Sequence, residues 1–325
     1  MRRRDFLIGA GLAGWPRCAS AQPPPRVRHV AVLLGIAEND PETEARQNAF
    51  REGLAELGWA EGRNVNVDYR FGAADRERIR AYASELVAMG PDVIVANTSL
   101  AVAALKHATD TVPIIFAVVN DPVGQGFITN LQRPGGNITG FTFIDFEMIG
   151  KWLGLLGEIS PPVTKVGLMF GAATSPYYHS YLRAFEAEKA TGAIAPIELR
   201  EELEIDQTLV RLAQSQSGLI APADAFNLVH RKTIIAAAAR YSVPAVYTYR
   251  TFVTEGGLMS YGPETADIFR RSAAYVDRIL RGANPGELPA QAPGKFEFAI
   301  NLKTAKAIGI TIPPTLLARA DEVIE

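Results

Sequence analysis

Two short runs of apolar residues, each followed at once by small polar residues, dominate the hydrophobic pattern of this chain. Residues 93–96 and 113–119 are apolar at every position and rich in β-branched side chains. A strand of that kind suits a parallel sheet that helices cover on both faces. In open α/β sheets, ligands bind just beyond the carboxyl ends of the strands. The pattern therefore predicts a buried parallel sheet with a ligand site where these two runs end.

The polar residues after the two runs are candidate ligand contacts. A helix is predicted from residue 100, so Thr98 and Ser99 fall at its N-cap, where free amide groups and the helix dipole favour a carboxylate or a phosphate. Two simpler interpretations stay open: Ser99 only caps the helix, and Asp121 only forms a turn before Pro122. The candidates are Asn97, Thr98 and Ser99 after the first run, and Asn120, Asp121 and Pro122 after the second.

The other segments of the first half alternate between strand and helix patterns. Strands are predicted over 27–34 and, with the alternation of an edge strand, over 65–69. One helix is predicted over 41–57 with Asp40 as its N-cap, and another over 75–89. This β-α-β-α-β-α-β order implies a doubly wound parallel sheet built by right-handed crossovers.

The pattern restarts in the second half of the chain. Strands predicted over 165–170, 194–199, 218–221 and 245–247 alternate with helices, so this half is expected to repeat the architecture of the first. Polar and aromatic residues again follow the strands. They extend the candidate ligand contacts by Thr174, Ser175, Tyr178, Asp224, Phe226 and Tyr249.

Glycine-rich segments at 124–140 and 256–262 are interpreted as crossings between the two halves. A helix over 265–280 and a strand over 296–302 follow the second of them. The fold class predicted is α/β, with two Rossmann-like lobes and parallel sheets. The predicted lobe boundaries are 27–140 plus about 258–285 for the first lobe, and 141–255 plus about 286–325 for the second.

The first 21 residues have the features of an export signal. Three arginines at positions 2–4 precede a short apolar stretch, and a small-x-small cleavage pattern ends at Ala21. Arg3 and Arg4 followed by Phe6 and Leu7 resemble a twin-arginine signal, so we expect a periplasmic protein that begins at Gln22. Lipidation of Cys18 is not expected, because the residues before it, 16–17, are Pro-Arg and do not suit a lipobox.

Removal of residues 1–21 would change the net charge of the chain and remove its only cysteine. Residues 1–21 hold four arginines and one aspartate, so the 33 basic and 35 acidic residues become 29 and 34, a net charge of −5. That balance gives no reason to expect a nucleic-acid partner. Loss of Cys18, the only cysteine, excludes a disulfide framework and a cysteine nucleophile. No later run approaches the ~20 apolar residues of a membrane span, so the chain is not expected to be membrane-inserted.

Signs of catalysis or of a cofactor are weak. The four histidines lack metal-ligand spacing, and neither a P-loop nor a complete dinucleotide-binding glycine motif is found, so no cofactor is expected. His179 lies four residues after Ser175, which leaves a hydrolase as an alternative although two residues on one helix face make a poor nucleophile–base pair. A sensor domain with a small-molecule effector is the other alternative.

Seven segments of the chain carry a family resemblance: 92–96, 113–117, 120–124, 133–140, 256–263, 275–280 and 301–306. They resemble ABC-transporter substrate-binding proteins of the tryptophan/tyrosine type, within the type I periplasmic binding proteins. The resemblance implies two lobes that three crossing strands join, here near 140, 250 and 258, and that close on a ligand by hinge motion. It also implies permease subunits as partners, and we expect a monomer that is not an enzyme. The chain departs from the family at 172–176, where members often carry Asn-Pro-x-Asn.

The candidate residues together favour a carboxylate-bearing or zwitterionic ligand over a sugar. Thr98 and Ser99 would meet the carboxylate, and Asp121 or Asp224 would meet an ammonium group. The aromatic candidates, together with Tyr177, would form walls for an aromatic or branched side chain, although each could equally pack in the core. The sequence therefore predicts an extracytoplasmic binder of an amino acid or a related carboxylate.

Overall fold

Two sheets organise the computed structural model, which describes residues 26–144, 147–159, 161–189 and 193–325. The first consists of β1 (Arg28–Leu34), β2 (Val65–Phe71), β3 (Val93–Asn97), β4 (Ile114–Val119) and β5 (Ile138–Thr142). Its order is β2-β1-β3-β4-β5, with every pair parallel and β2 at the edge, as predicted. All residues of β3 and β4 are buried, which confirms strands covered on both faces.

The first lobe contains the helices α1 (Pro41–Glu56), α2 (Arg76–Ala88) and α3 (Ser99–Ala108), and a later helix joins them. Asp40 caps α1 by accepting a hydrogen bond from the Glu42 amide at 2.9 Å, and a proline occupies the first helical position, as the sequence predicts. Alternate residues of β3 face opposite sides of the sheet. Ile94 and Ala96 pack in the cluster with α2 and α3, whereas Val93 and Val95 pack in the cluster that contains α1.

The second sheet is mostly parallel and has the order β12-β11-β10-β9-β8-β6-β7. Its strands are β6 (Val166–Gly171), β7 (Ile194–Leu199), β8 (Gly218–Ala221), β9 (Ala245–Tyr247), β10 (Met259–Pro263), β11 (Phe296–Asn301) and β12 (Glu322–Ile324). Only the β10–β11 pair is antiparallel among the paired strands described. The predicted fold class, two α/β lobes with parallel sheets, is confirmed. The β10–β11 pair is antiparallel because the chain leaves the lobe after β10 and returns beside it.

The helices of the second lobe range from short turns such as Ala225–Val229 to the longer Glu147–Glu158 and Ser175–Lys189. The segment predicted as one helix up to residue 240 is two helices that join at His230. None of the helices described is long and apolar enough to cross a membrane. The helices are α4 (Glu147–Glu158), α5 (Ser175–Lys189), α6 (Glu204–Gln214), α7 (Ala225–Val229), α8 (Arg231–Arg240), α9 (Arg250–Thr254), α11 (Leu302–Ala307) and α12 (Pro314–Leu317).

Three connections join the lobes, and two of the predicted positions are wrong. Residues 250–254 form α9 inside the second lobe, and 259–263 form β10 of the second sheet rather than part of the first lobe. The glycines there permit close packing: a Cβ on Gly262 would lie 2.3 Å from the Thr248 carbonyl oxygen. The chain crosses after β5, again at Glu264, and a third time between Gln291 and β11.

The three connections lie side by side and form the hinge. The Thr142 amide donates to the Gln291 carbonyl at 2.8 Å, and the Glu264 amide donates to the Lys295 carbonyl at 3.1 Å. Between the second and third connections, α10 (Thr265–Leu280) returns to the first lobe and packs against α1. The hinge therefore consists of neighbouring chain segments that backbone hydrogen bonds link to one another.

Candidate ligand-binding cleft

A cavity of about 1000 Å³ lies between the two lobes, at the carboxyl ends of their strands. Both predicted groups of strand-end residues contribute to its lining, as expected for an α/β ligand site. Eight of the twelve candidate residues line it. Those eight are Thr98, Ser99, Asn120, Asp121, Thr174, Tyr178, Asp224 and Tyr249.

The first-lobe wall is formed by the start of α3 and by the loop after β4. Thr98 adopts φ 79° and caps α3, because its Oγ1 accepts from the Ala101 amide at 3.4 Å. Positive φ is unfavourable for a β-branched residue, and such backbone strain is concentrated at functional sites. The Ser99 hydroxyl oxygen accepts a hydrogen bond from Gln125 Nε2 at 2.9 Å. Both hydroxyl groups are thus held at the amino end of a helix.

Asp121 on the same wall forms a turn. Its φ is 39°, and Oδ1 accepts from the Gly124 amide at 2.8 Å, as in an Asx turn. The side chain is exposed at the cavity. Asn120 is buried, and its Oδ1 accepts from the Ile144 amide at 3.1 Å at the first connection between the lobes. Asp121 therefore combines a turn with a carboxylate oxygen that faces solvent.

Asp224 anchors the second-lobe wall. Its Oδ1 accepts from the amides of Gly171 at 3.1 Å and Phe226 at 2.9 Å, and its Oδ2 accepts from the Thr174 hydroxyl. The carboxyl group caps α7 and ties it to the end of β6. Burial raises the pKa of Asp224, while these hydrogen bonds oppose the rise. Oδ2 has fewer protein donors than Oδ1 and retains capacity for a further donor.

Two tyrosines form rigid aromatic surfaces beside Asp224. The Tyr178 hydroxyl donates to the Ala223 carbonyl at 2.7 Å, and its ring stacks on Phe170 with centroids 4.9 Å apart. The Tyr249 ring stacks on Phe143 at 5.7 Å. Burial raises the pKa of Tyr249 to about 12, so its phenol stays protonated in the physiological range. These rings pack in the core on one side and line the cavity on the other.

Asn97, Pro122 and Phe226 are not among the residues that line the cavity. Asn97 is fully buried, and it donates to the Ala117 carbonyl at 3.3 Å, which links β3 to β4. Ala225 and Leu228, three residues apart on α7, line the cavity instead of Phe226. The side chain of Ser175 lies outside the described residues.

Arg46 is a lining residue that the strand-end argument missed. It is 1% exposed, donates to Glu42 Oε2 at 3.1 Å, and holds its guanidinium 5.5 Å from the Tyr249 ring centroid. It lies in α1, one turn before Phe50 and two before Leu54, so it is a charged residue on the apolar face of a helix. A charged residue on the apolar face of a helix is therefore the sequence feature that could have identified Arg46 as a lining residue. Tyr177, which the sequence predicts as an aromatic wall, also lines the cavity. The strand-end argument also missed further lining residues, among them Arg76, Arg80, His107, Gln125 and Arg183.

The hydrolase alternative needs Ser175 and His179 at the cavity, and of these two only His179 has a described side chain. His179 does not line the cavity; Nε2 lies 3.8 Å from Glu198 Oε2, and the ring meets Phe170 edge-on. Across the described ranges, no three His, Cys, Asp or Glu side chains come together in a metal-binding arrangement. The arrangement of the described side chains suits reversible binding of a polar molecule with an apolar part.

Two α/β lobes, three connecting segments between them and a polar, aromatic cleft define the class of two-lobed solute-binding proteins with the type I periplasmic binding protein fold. The family model for ABC transporter substrate binding proteins matches residues 29–324, and the chain belongs to that family. The family resemblance in the sequence is thereby confirmed.

Individual relatives agree with this assignment. The tyrosine-binding protein of Clostridioides difficile (strain R20291) is 24% identical over 279 residues, which are 85% of this chain and 80% of that protein. A conserved domain protein from Vibrio cholerae is 28% identical, with a TM-score of 0.83 over 92% of this chain and 100% of that one. An ABC domain from Streptococcus pneumonia in complex with L-Trp is 25% identical, with a TM-score of 0.83 over 91% and 99% of the two chains.

Proposed function

We propose that this protein is the extracytoplasmic solute-binding component of an ABC importer and captures an amino acid or related carboxylate with an aromatic or branched side chain. One observation carries the proposal: a single cavity is lined by the amino end of α3 on one wall and by Asp224 and Tyr249 on the other. These groups complement a carboxylate, an ammonium and an aromatic surface. A relative named for tyrosine binding and a relative solved with L-Trp support this ligand class.

The carboxylate is proposed to dock at Thr98, Ser99 and the first-turn amides of α3. Amide groups at the start of a helix have no partner within the helix, and the positive end of the dipole adds to their attraction for an anion. The cap and the Gln125 contact hold both hydroxyl groups in place before a ligand arrives. Such donors need little reorganisation when the carboxylate binds, which favours affinity.

The ammonium group is proposed to meet Asp224 Oδ2, and the exposed Asp121 is the alternative acceptor. Asp224 is 5% exposed, so an ion pair there is poorly screened by water. The side chain of the ligand is proposed to lie against Tyr178 and Tyr249, whose positions are fixed by the Ala223 hydrogen bond and the Phe143 stack.

The proposal also covers the export of the protein and the transporter subunits that it meets. The pattern at residues 1–21 supports export by the twin-arginine route and cleavage after Ala21, and this segment lies outside the described residues. We propose a periplasmic monomer that passes its ligand to permease subunits without converting it.

Isothermal titration calorimetry with L-tryptophan and L-tyrosine tests the proposal. Expected is one ligand per chain with a dissociation constant in the micromolar range or below. Two compounds are matched controls: tryptophanamide lacks the carboxylate, and indole-3-propionate lacks the ammonium group. Each should bind at least about tenfold more weakly than L-tryptophan. Mass spectrometry of the recovered ligand should show no conversion. A converted ligand would contradict the binding role and favour the hydrolase alternative at Ser175 and His179.

A further inference from the structure

The cavity extends well beyond the strand ends. It is lined by Thr98 at the start of α3 and by His107 near its end, nine residues later. At 1.5 Å per residue, this stretch of helix spans about 13 Å. The cavity has a volume of about 1000 Å³, which lies at the upper end of the range of about 300–1,000 Å³ for small-molecule sites. The cavity therefore has room for a ligand longer than a single amino acid.

The outer part of the cavity, away from the strand ends, is lined by helix surfaces from both lobes. Arg76 and Arg80 on α2 contribute from the first lobe, and Arg183 on α5 contributes from the second. We call these three residues the arginine group. They are exposed, and among the described lining residues the two carboxylates, Asp121 and Asp224, belong instead to the strand-end loops.

Acidic side chains of the protein neutralise little of the positive charge of the arginine group. Arg80 pairs with Glu77 at 2.9 Å, but both side chains are largely exposed, and exposed pairs of this kind contribute little. The side chains of Arg76 and Arg183 form no ion pair or hydrogen bond with any residue in the described ranges. Positive charge on opposite walls of one cleft attracts anions, and it also disfavours closure of the cleft unless an anion lies between the walls.

We propose that the natural ligand carries a second anionic group, a carboxylate or a phosphate, which the arginine group binds at the outer part of the cavity. The proposal rests on the proposed function for the inner carboxylate and extends it to a ligand with two anionic ends. Arginine suits this role because its planar donor groups match carboxylate and phosphate oxygens in pairs. The second anion would also neutralise the charge that opposes closure.

L-tyrosine and O-phospho-L-tyrosine form a matched pair that differs by one phosphoryl group. We would titrate both into the wild-type protein, into R76Q/R80Q/R183Q, and into R63Q/R240Q/R319Q. The last variant loses the same charge from exposed arginines that do not line the cavity. Expected is at least about tenfold tighter binding of O-phospho-L-tyrosine by the wild type and the control variant. In R76Q/R80Q/R183Q, the preference should fall to within about twofold, with L-tyrosine affinity little changed.

Equal affinity of the wild type for both compounds would overturn the proposal, and so would a preference that survives in R76Q/R80Q/R183Q. If all amino acids fail to bind, the proposed function fails, and benzoate and terephthalate decide this inference separately. Terephthalate must then bind more tightly than benzoate, and only with the arginine group intact. Equal binding, or binding of neither compound, would overturn the inference as well.

Discussion

Substitution of Asp224 separates the structural role of this carboxyl group from its proposed role in binding. In Asp224→Asn the amide oxygen can still accept from the amides of Gly171 and Phe226, and the Thr174 hydroxyl can donate to the Gly171 carbonyl, 3.0 Å away. The local hydrogen bonds therefore survive, while the negative charge is lost. Asp224→Ala removes the charge and the hydrogen bonds together.

The two variants should differ sharply in stability and agree in affinity. Asp224→Asn should change the free energy of unfolding by less than about 1 kcal/mol. Asp224→Ala loses an N-cap worth about 0.5–2 kcal/mol and leaves a buried amide unpaired at about 1–3 kcal/mol, so we expect a loss of about 2–4 kcal/mol. Both should weaken amino-acid binding by about 2–5 kcal/mol, because a partly buried ammonium loses its partner. That corresponds to a loss in affinity of about thirtyfold to several thousandfold.

Urea denaturation measures the first quantity, and calorimetric titration with L-tryptophan measures the second. Asp121→Asn is the control, because it removes the other carboxylate of the cleft from an exposed turn. We expect that variant to cost less than about 1 kcal/mol in affinity. Wild-type affinity in Asp224→Asn would refute the reasoning and leave Asp224 with a purely structural role.

Three further predictions concern other parts of the molecule. Ser99→Ala should weaken carboxylate binding by about 1–2 kcal/mol in calorimetry, since the helix amides remain; an unchanged affinity would place the carboxylate elsewhere. Burial, with a smaller contribution from Glu42, raises the pKa of Glu297 from 4.5 to about 7, so folding stability should decrease as the pH rises between these values. Glu297→Gln should abolish that decrease and gain about 1–2 kcal/mol at pH 8 in denaturation, after allowance for solvent screening, and an identical pH profile would contradict it. Replacement of Arg3 and Arg4 by lysine should leave uncleaved precursor in the cytoplasm on immunoblots, whereas normal export would indicate the general secretory route.

Local sequence signals predicted the first lobe well. The continuous apolar run of β3 requires burial on both faces, and Asp40 with its following proline defines the start of α1. Such features depend on interactions within a few residues, so the sequence alone contains them. The same holds for Thr98 and Ser99, which occupy the N-cap and first position of α3.

Predictions that depended on contacts between distant residues were less accurate. The glycines of 256–262 indicated a crossing, but Gly262 is required by close contact with Thr248 in the second sheet. The sequence did not predict Arg46 as a lining residue, because its position at the cavity depends on how α1 packs against the strand ends and Tyr249. Phe226 follows a strand as expected, yet the turn of α7 brings Ala225 and Leu228 to the cavity instead. Side-chain direction at a strand end is a tertiary property that periodicity does not encode.

A thermal-shift screen across amino acids, aromatic acids, nucleosides and sugars tests the central claim most directly. A ligand that binds only the folded protein, at about a hundred times its dissociation constant, stabilises it by about 2.7 kcal/mol, which gives a clear rise in Tm. We predict that carboxylate-bearing compounds raise the Tm, with aromatic or branched amino acids among the strongest. Stabilisation by sugars or nucleosides alone, with every carboxylate inactive, would contradict the account.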